Sequence, residues 1–182
     1  MKKDWQKAIK ILKNDGVGVI PTDTLYGLVG SAFSKKAINR IYKIKNRNKN
    51  KKLIILISSI RDLKKFKIKI NKEEAKILKK FWPGRVSIIL GNIAFRLPKK
   101  KSLLKILRKT GPLVAPSANP EGKKPAENIK EAKEYFGPAS TQGGNKIDFY
   151  LSGGTLKSKP STLIRFDNNK LIVLRQGQMV IK

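Results

Sequence analysis

Short apolar runs alternate with amphipathic segments along the chain, and this alternation restricts the fold more than any other feature of the sequence. Residues 5–12 carry apolar side chains at i, i+3, i+4 and i+7, which indicates a helix, and the apolar run at 17–20 indicates a buried strand. Because such segments interleave without a strict repeat, we expect one α/β domain over residues 1–182. Its sheet should be mixed, partly antiparallel and covered by helices.

The predicted elements follow from these patterns and from the residues that end them. Ser34 and Asn71 are the expected N-caps of two helices, and residues 21–30 are predicted as a loop. Helices are predicted over residues 5–12, 35–42, 71–82, 103–107 and 129–136, and strands over 17–20, 53–57, 86–90, 94–97, 113–115, 147–151, 162–166 and 171–174. A turn at 167–170 should join the last two strands.

The chain contains neither cysteine nor histidine. Disulfides, thiolate nucleophiles and cysteine-type metal sites are therefore excluded, as are the commonest general base and the commonest metal ligand. Any catalysis must depend on positioning, cations, hydroxyls and amides, together with any metal ion that the site acquires. No apolar run approaches the roughly 20 residues that span a bilayer, so we expect a soluble, cytoplasmic protein.

The net charge is +30, from 42 basic and 12 acidic residues. Such a charge attracts polyanions, because each cation placed on a phosphate releases condensed counterions. The alternative is a bias in composition, since Lys outnumbers Arg 34 to 8 and Ile and Asn are also frequent, as AT-rich codons would produce. Both explanations stay open at the level of the sequence.

Hydroxyl and amide side chains follow two predicted strands. Residues 22–24 (Thr-Asp-Thr) come after strand 17–20, and Ser117 and Asn119 come after strand 113–115. Open α/β sheets bind ligands at the carboxyl ends of strands, although capped turns are the simpler interpretation of each segment alone. Ser161 begins one late strand and Arg175 ends the next, so a hairpin would make them neighbours. An ordinary edge-strand arginine is the alternative there.

The basic segment 45–52 lies between a predicted helix and a predicted strand. Arg47 could give planar bidentate contacts to phosphate and Lys45 a mobile point charge, whereas the alternative is a solvated loop. Neither GxxxxGK[ST] nor GxGxxG is present, although Gly143-Gly144 and Gly153-Gly154 could each form a tight turn, so a standard P-loop ATPase is disfavoured. Spacing alone predicts a basic α/β protein that binds phosphate.

Seven short motifs occur in a fixed order: PTDTLYGL at 21–28, IYKIKNR at 41–47, FWPGRVS at 81–87, FRLP at 95–98, APSAN at 115–119, STLI at 161–164 and LRQG at 174–177. In this order the chain resembles the short, single-domain form of the YrdC-like threonylcarbamoyl-AMP synthases. The resemblance implies a twisted, largely open mixed sheet, with helices packed around it and a concave basic cavity. It also implies the synthesis of threonylcarbamoyl-AMP and pyrophosphate from L-threonine, bicarbonate or carbon dioxide, and ATP.

The same resemblance implies roles for individual residues and for partners. Lys45 and Arg47 would be the catalytic cations that hold the ATP phosphates, and Asn119 and Arg175 would complete the nucleotide site. The expected threonine-binding residues are Thr22, Ser87, Ser117 and Ser161, with Thr24 as a further candidate. Mg²⁺ would be carried mainly by ATP, and the product would pass to tRNA through tRNA-modification partner proteins.

The chain departs from the usual family pattern in several places. Asn48 and Lys52 stand where prolines are usual, and Lys51 stands where His or Asn is usual. Further departures are Arg85 in place of Pro, Glu127 in a stretch that usually holds Ser or Thr, and Ser152 in place of Asp. One rival function is a non-catalytic member of the same fold that binds tRNA or double-stranded RNA through phosphates. A carbamoyl-adenylate-forming relative with another acceptor is a second rival.

Overall fold

The computed structural model describes residues 2–140, 146–167 and 170–181. Over these ranges the helices are α1 Lys2–Lys13, α2 Lys35–Lys45, α3 Lys72–Phe81, α4 Lys101–Thr110 and α5 Ile129–Phe136, with a 3₁₀ helix at Ile60–Phe66. The strands are β1 Gly18–Pro21, β2 Tyr26–Ser31, β3 Ile54–Leu56, β4 Val86–Leu90, β5 Ile93–Arg96, β6 Leu113–Val114, β7 Phe149–Tyr150, β8 Thr162–Asp167 and β9 Lys170–Arg175. Gly143 and Gly144, predicted as a possible tight turn, and the centre of the predicted 167–170 turn lie outside the described residues.

The strands form one open sheet in the order β7-β1-β2-β6-β3-β5-β4-β8-β9. Three neighbouring pairs are parallel, β7 with β1, β3 with β5 and β4 with β8, and the other pairs are antiparallel. The predicted mixed, partly antiparallel sheet with helices around it is therefore confirmed. None of the helices in the described ranges is long and apolar enough to cross a membrane.

Local hydrogen bonds explain why several elements begin where the sequence predicts. The Ser34 side chain accepts a hydrogen bond from the Ala37 amide at 3.0 Å at the start of α2. Asn71 and Glu74 form a reciprocal capping box at the start of α3, with distances of 2.8 and 2.9 Å. The hairpin of β4 and β5 turns at Gly91, whose φ of 58° is easily adopted by glycine.

The prediction of a loop over residues 21–30 was wrong, because residues 26–31 form strand β2. This strand pairs antiparallel with β1, from Pro21 opposite Tyr26 to Gly18 opposite Val29. Its two glycines weakened the strand signal, but they are needed for packing. A Cβ atom at Gly30 would lie 3.0 Å from the Ala37 side chain, and one at Gly27 would lie 3.1 Å from the Thr22 methyl group. The polar residues 22–24 remain in the tight turn between the two strands.

A buried ion pair fixes α2 against the sheet edge that carries β1 and β7. Both carboxylate oxygens of Asp148 accept hydrogen bonds from Arg40, at 2.8 and 2.9 Å, and one of them also accepts from the Val17 amide at 2.6 Å. The side chains of Arg40 and Asp148 are only 12% and 7% exposed. Since α2 leads directly into the 45–52 segment, this pair sets where that segment leaves the helix.

Removing this carboxylate should destabilise the fold. We expect Asp148→Ala to lower the free energy of unfolding by about 3 kcal/mol, because it removes the charged partner of the largely buried Arg40 guanidinium and the acceptor of the buried Val17 amide. Urea titration followed by circular dichroism measures this change. Glu134→Ala, an exposed carboxylate on α5, is the matched control and should change stability by less than about 0.5 kcal/mol. Equal small effects in both variants would contradict the prediction.

Candidate functional site

A cavity of about 320 Å³ opens where five separate parts of the chain meet. These parts are the β1–β2 turn, the segment after α2, the β4–β5 hairpin, the segment after β6 and the β8–β9 hairpin. Its polar lining residues are Thr22, Thr24, Arg47, Lys52, Asn92, Arg96, Ser117, Ser161 and Arg175. Six of the sequence-predicted site residues are among them, so the fold brings together groups that are widely separated in the sequence.

The wall of this cavity is strongly cationic. Three arginines and one lysine line it, and no carboxylate does so among the residues that the structure describes. Burial, and then the positive charges of Arg96 and Arg47, lower the pKa of Arg175. Because these like charges repel one another, a polyanion that enters the cavity relieves the repulsion as well as making contacts of its own.

Arg96, for which the sequence predicted no role, lines the cavity and is 5% exposed. Its Nη2 atom is 3.1 Å from Asp23 Oδ1 and 3.5 Å from the Thr22 hydroxyl, and the Arg96 and Asp23 side chains are each 6% exposed. The Nε atom of Arg96 and both Asp23 oxygens find no hydrogen-bond partner within the described ranges. Two more cations hold the same turn from outside: Arg85 donates to the Asp23 carbonyl oxygen at 3.0 Å and Lys100 to that of Thr22 at 3.2 Å. The FRLP motif was the available signal for Arg96.

The hydroxyls of the β1–β2 turn form one compact group. Thr22 Oγ1 donates to the Leu25 carbonyl oxygen at 2.6 Å and lies 3.3 Å from Thr24 Oγ1. Both threonines are 3% exposed. Each hydroxyl therefore sits in a largely desolvated position, where a ligand group without hydrogen-bonding capacity would be disfavoured.

A second pair of hydroxyls lies where β4 and β8 run side by side. The Oγ atoms of Ser87 and Ser161 are 2.8 Å apart, and Ser87 is fully buried behind Ser161. Arg175 Nη2 donates to the Ser161 carbonyl oxygen at 2.8 Å, so the predicted proximity of Ser161 and Arg175 in a hairpin is confirmed. Ser161 lines the cavity, whereas Ser87 is not among its lining residues and is hydrogen-bonded to Ser161.

Lys45 and Asn119 lie behind the cavity wall. The ammonium of Lys45 donates to the carbonyl oxygens of Ser117 and Asn119 at 2.6 and 2.5 Å, and this lysine is 1% exposed. The amide nitrogen of the Asn119 side chain donates to the carbonyl oxygens of Pro120 and Lys123 at 2.8 and 2.6 Å. Their predicted contacts with ATP therefore stay predictions that require these hydrogen bonds to be exchanged.

Burial, and then the positive charge of Arg47, lower the pKa of Lys45 to about 8, and Glu121 opposes this effect. Between pH 8 and the ordinary value of 10.5, the unfolded chain therefore binds a proton that the folded protein does not. Between these two pH values, the contribution of Lys45 to the free energy of unfolding therefore rises with pH. This contribution is fully present above pH 10.5 and is lost as the pH falls through about 8.

The expected result is an unfolding free energy that, relative to Lys45→Met, increases by up to about 3 kcal/mol from pH 8 to 10.5. Urea titrations of both proteins at pH 7.5, 9 and 10.5 measure the difference and cancel the titration of the other lysines. A difference that does not vary with pH would show that Lys45 keeps an ordinary pKa.

The open mixed sheet and its cationic, hydroxyl-lined cavity define an α/β protein suited to a small ligand that combines phosphate groups with hydrogen-bonding groups. A family model described as "Telomere recombination", which covers Sua5, YciO and YrdC proteins, matches residues 10–177. The chain belongs to this Sua5/YciO/YrdC family.

Individual relatives agree with that assignment. A Methanocaldococcus jannaschii protein, provisionally named threonylcarbamoyl-AMP synthase, is 31% identical over 100% of this chain and 91% of its own length. The structure of Pyrococcus abyssi Sua5 complexed with L-threonine superposes with a TM-score of 0.84 at 27% identity, over 97% of this chain and 55% of that one. Escherichia coli YciO, at 22% identity over 97% of this chain and 90% of its own, has a TM-score of 0.83 and supports the fold.

The predicted family and fold class are thus confirmed, and the names of the relatives bear out a nucleotidyltransferase-type enzyme. This chain spans about half the length of the Pyrococcus protein.

Proposed function

We propose that this protein forms threonylcarbamoyl-AMP and pyrophosphate from L-threonine, bicarbonate or carbon dioxide, and ATP. One observation carries the proposal: a single cavity combines the buried hydroxyls of Thr22, Thr24 and Ser161 with the guanidiniums of Arg47 and Arg175. The first set suits an amino acid that bears a hydroxyl, and the second suits a triphosphate. A relative with the same fold is described as complexed with L-threonine, which supports the first half.

The reaction suits a chain that has neither histidine nor cysteine. The threonine amine adds to carbon dioxide and loses a proton to solvent, which gives a carbamate without any protein nucleophile. A carbamate oxygen then attacks the α-phosphorus of ATP, and the bond from that phosphorus to the bridging oxygen breaks as pyrophosphate leaves. The protein has to align the two reactants and stabilise the charge on the departing pyrophosphate.

The proposed roles follow from position in the cavity. Arg47 and Arg175 contact the phosphates, and Lys45 and Asn119 complete the nucleotide site once they exchange their bonds to backbone oxygens. Thr22, Thr24, Ser117 and Ser161 contact threonine, and Ser87 orients Ser161. A magnesium ion that arrives with ATP would be held by phosphate oxygens and water, since the described lining offers no carboxylate.

The decisive experiment is an assay of pyrophosphate release by the purified protein, with the adenylate identified by mass spectrometry. Release should require ATP, bicarbonate and L-threonine together. Equal release without threonine would overturn the proposal in favour of an unrelated ATPase. We also propose that tRNA and its modification partner proteins act on the product in a later step, so release that requires tRNA would contradict a stand-alone first-step enzyme.

A further inference from the structure

The carboxylate of Glu121 lies outside the cavity lining but is bonded to one of its arginines. Glu121 Oε2 is 2.7 Å from Arg47 Nη1, and Oε1 is 2.8 Å from Lys51 Nζ. The Glu121 backbone amide also donates to the Lys45 carbonyl oxygen at 2.7 Å. Glu121 therefore holds the last residue of α2 by its backbone and the segment after α2 by its side chain.

These contacts fix the orientation of Arg47. Its Nε atom donates to the Lys51 carbonyl oxygen at 3.2 Å, and its Nη1 atom donates to Glu121. The Arg47 side chain is 23% exposed and lines the cavity. Nε and Nη1 are thus held by protein oxygens, whereas Nη2 has no hydrogen-bond partner among the residues that the structure describes, so its hydrogens are available to a ligand.

A carboxylate near a phosphate site would ordinarily repel the ligand, but here its charge is balanced. Hydrogen bonds from Lys51 and then Arg47 lower the pKa of Glu121, so the group stays ionised at neutral pH. The cluster of Arg47, Glu121 and Lys51 carries a net charge of one positive unit. Lys51 thus neutralises Glu121 and leaves the charge of Arg47 for the ligand. Lys51, which departs from the usual family pattern, therefore has a structural partner in Glu121.

We propose that Glu121 is the positioning residue that orients Arg47 for the triphosphate of ATP, with Lys51 as its balancing cation. This inference rests on the proposed function for the identity of the ligand. The physical reason is preorganisation: a long arginine that is already ordered loses less conformational freedom when the phosphate arrives.

The test uses Glu121→Ala, Glu121→Gln, Arg47→Ala and the double variant Arg47→Ala/Glu121→Ala in the full chain. Two quantities are measured: the Kd of inorganic tripolyphosphate by calorimetry, and the KM values for ATP and L-threonine in the pyrophosphate assay. We expect Glu121→Ala to raise the Kd and the ATP KM about tenfold, with the threonine KM changed less than about twofold. Glu121→Gln keeps an acceptor oxygen and should lose only about threefold.

The double variant shows whether Glu121 acts through Arg47 or only supports the local structure. In the Arg47→Ala background, Glu121→Ala should add no further loss of tripolyphosphate affinity. Glu73→Ala, which breaks the exposed pair with Lys76 on α3, is the matched control and should leave both quantities unchanged. Tighter tripolyphosphate binding by Glu121→Ala, or an equal loss with and without Arg47, would overturn the inference. A wild-type protein that binds tripolyphosphate in this Glu121-dependent way but releases no pyrophosphate with threonine would refute the proposed function alone.

Discussion

Replacing L-threonine by L-valine is expected to lower kcat/KM for pyrophosphate release by about 10⁴-fold. Valine has nearly the shape of threonine but carries a methyl group in place of the hydroxyl. The residues Thr22, Thr24 and Ser161 are each at most 3% exposed, so water cannot readily replace a missing ligand hydroxyl beside them. A site built to hydrogen-bond a ligand hydroxyl discriminates against its absence much more strongly than an apolar pocket discriminates against a missing or added methyl group.

L-Serine is the matched control substrate, because it keeps the hydroxyl and lacks only the methyl group. It should lose between about 10-fold and 200-fold, which is the range for a missing methylene in an apolar contact. Steady-state kinetics with the three amino acids measure both ratios. If valine were used as well as serine, the buried hydroxyls would have no part in recognising the amino acid.

Arg47→Ala should lower kcat/KM by on the order of 10³-fold, because it removes a fixed cation from the place where charge develops on the leaving pyrophosphate. Arg47 lines the cavity, and its Nη1 atom is held 2.7 Å from Glu121 Oε2. Arg47→Lys keeps the charge but loses the planar fork, so we expect it to recover only part of the rate. The pyrophosphate assay under saturating and limiting ATP gives kcat and KM separately.

Arg108→Ala, an exposed arginine in the last turn of α4, is the control for bulk charge. In a protein with a net charge of +30, the loss of one such charge should have little effect on turnover. Similar small losses in Arg47→Ala and Arg108→Ala would mean that only the overall charge of the protein matters.

Interactions between residues close in the chain were open to prediction from the sequence. The N-caps Ser34 and Asn71 bond to amides three residues away, so a window of four residues contains the whole interaction. The β4–β5 hairpin and the neighbouring positions of Ser161 and Arg175 likewise follow from adjacent strands joined by short turns. The order of the seven motifs also predicted the family, although each motif alone is ambiguous.

Strand β2, by contrast, could not be predicted from residues close in the chain. Its glycines at 27 and 30 look like loop residues locally, and only the close approach of the Thr22 and Ala37 side chains explains why no larger residue stands there. Lys45 shows the same limit, since its sequence neighbours suggest a solvated basic loop. Burial against the carbonyl oxygens of residues 117 and 119 changes both its exposure and its pKa.

The sequence by itself determined the α/β class, the absence of histidine and cysteine chemistry, most of the elements and the family. The tertiary structure alone decided which charges meet. Arg47 pairs with Glu121 across 74 positions, and Arg96 reaches the Thr22 hydroxyl across another 74. The physical reason is that helices and turns depend on hydrogen bonds between residues a few positions apart, whereas the charge state and orientation of a site depend on groups brought together only when the strands pair and the helices pack on the sheet.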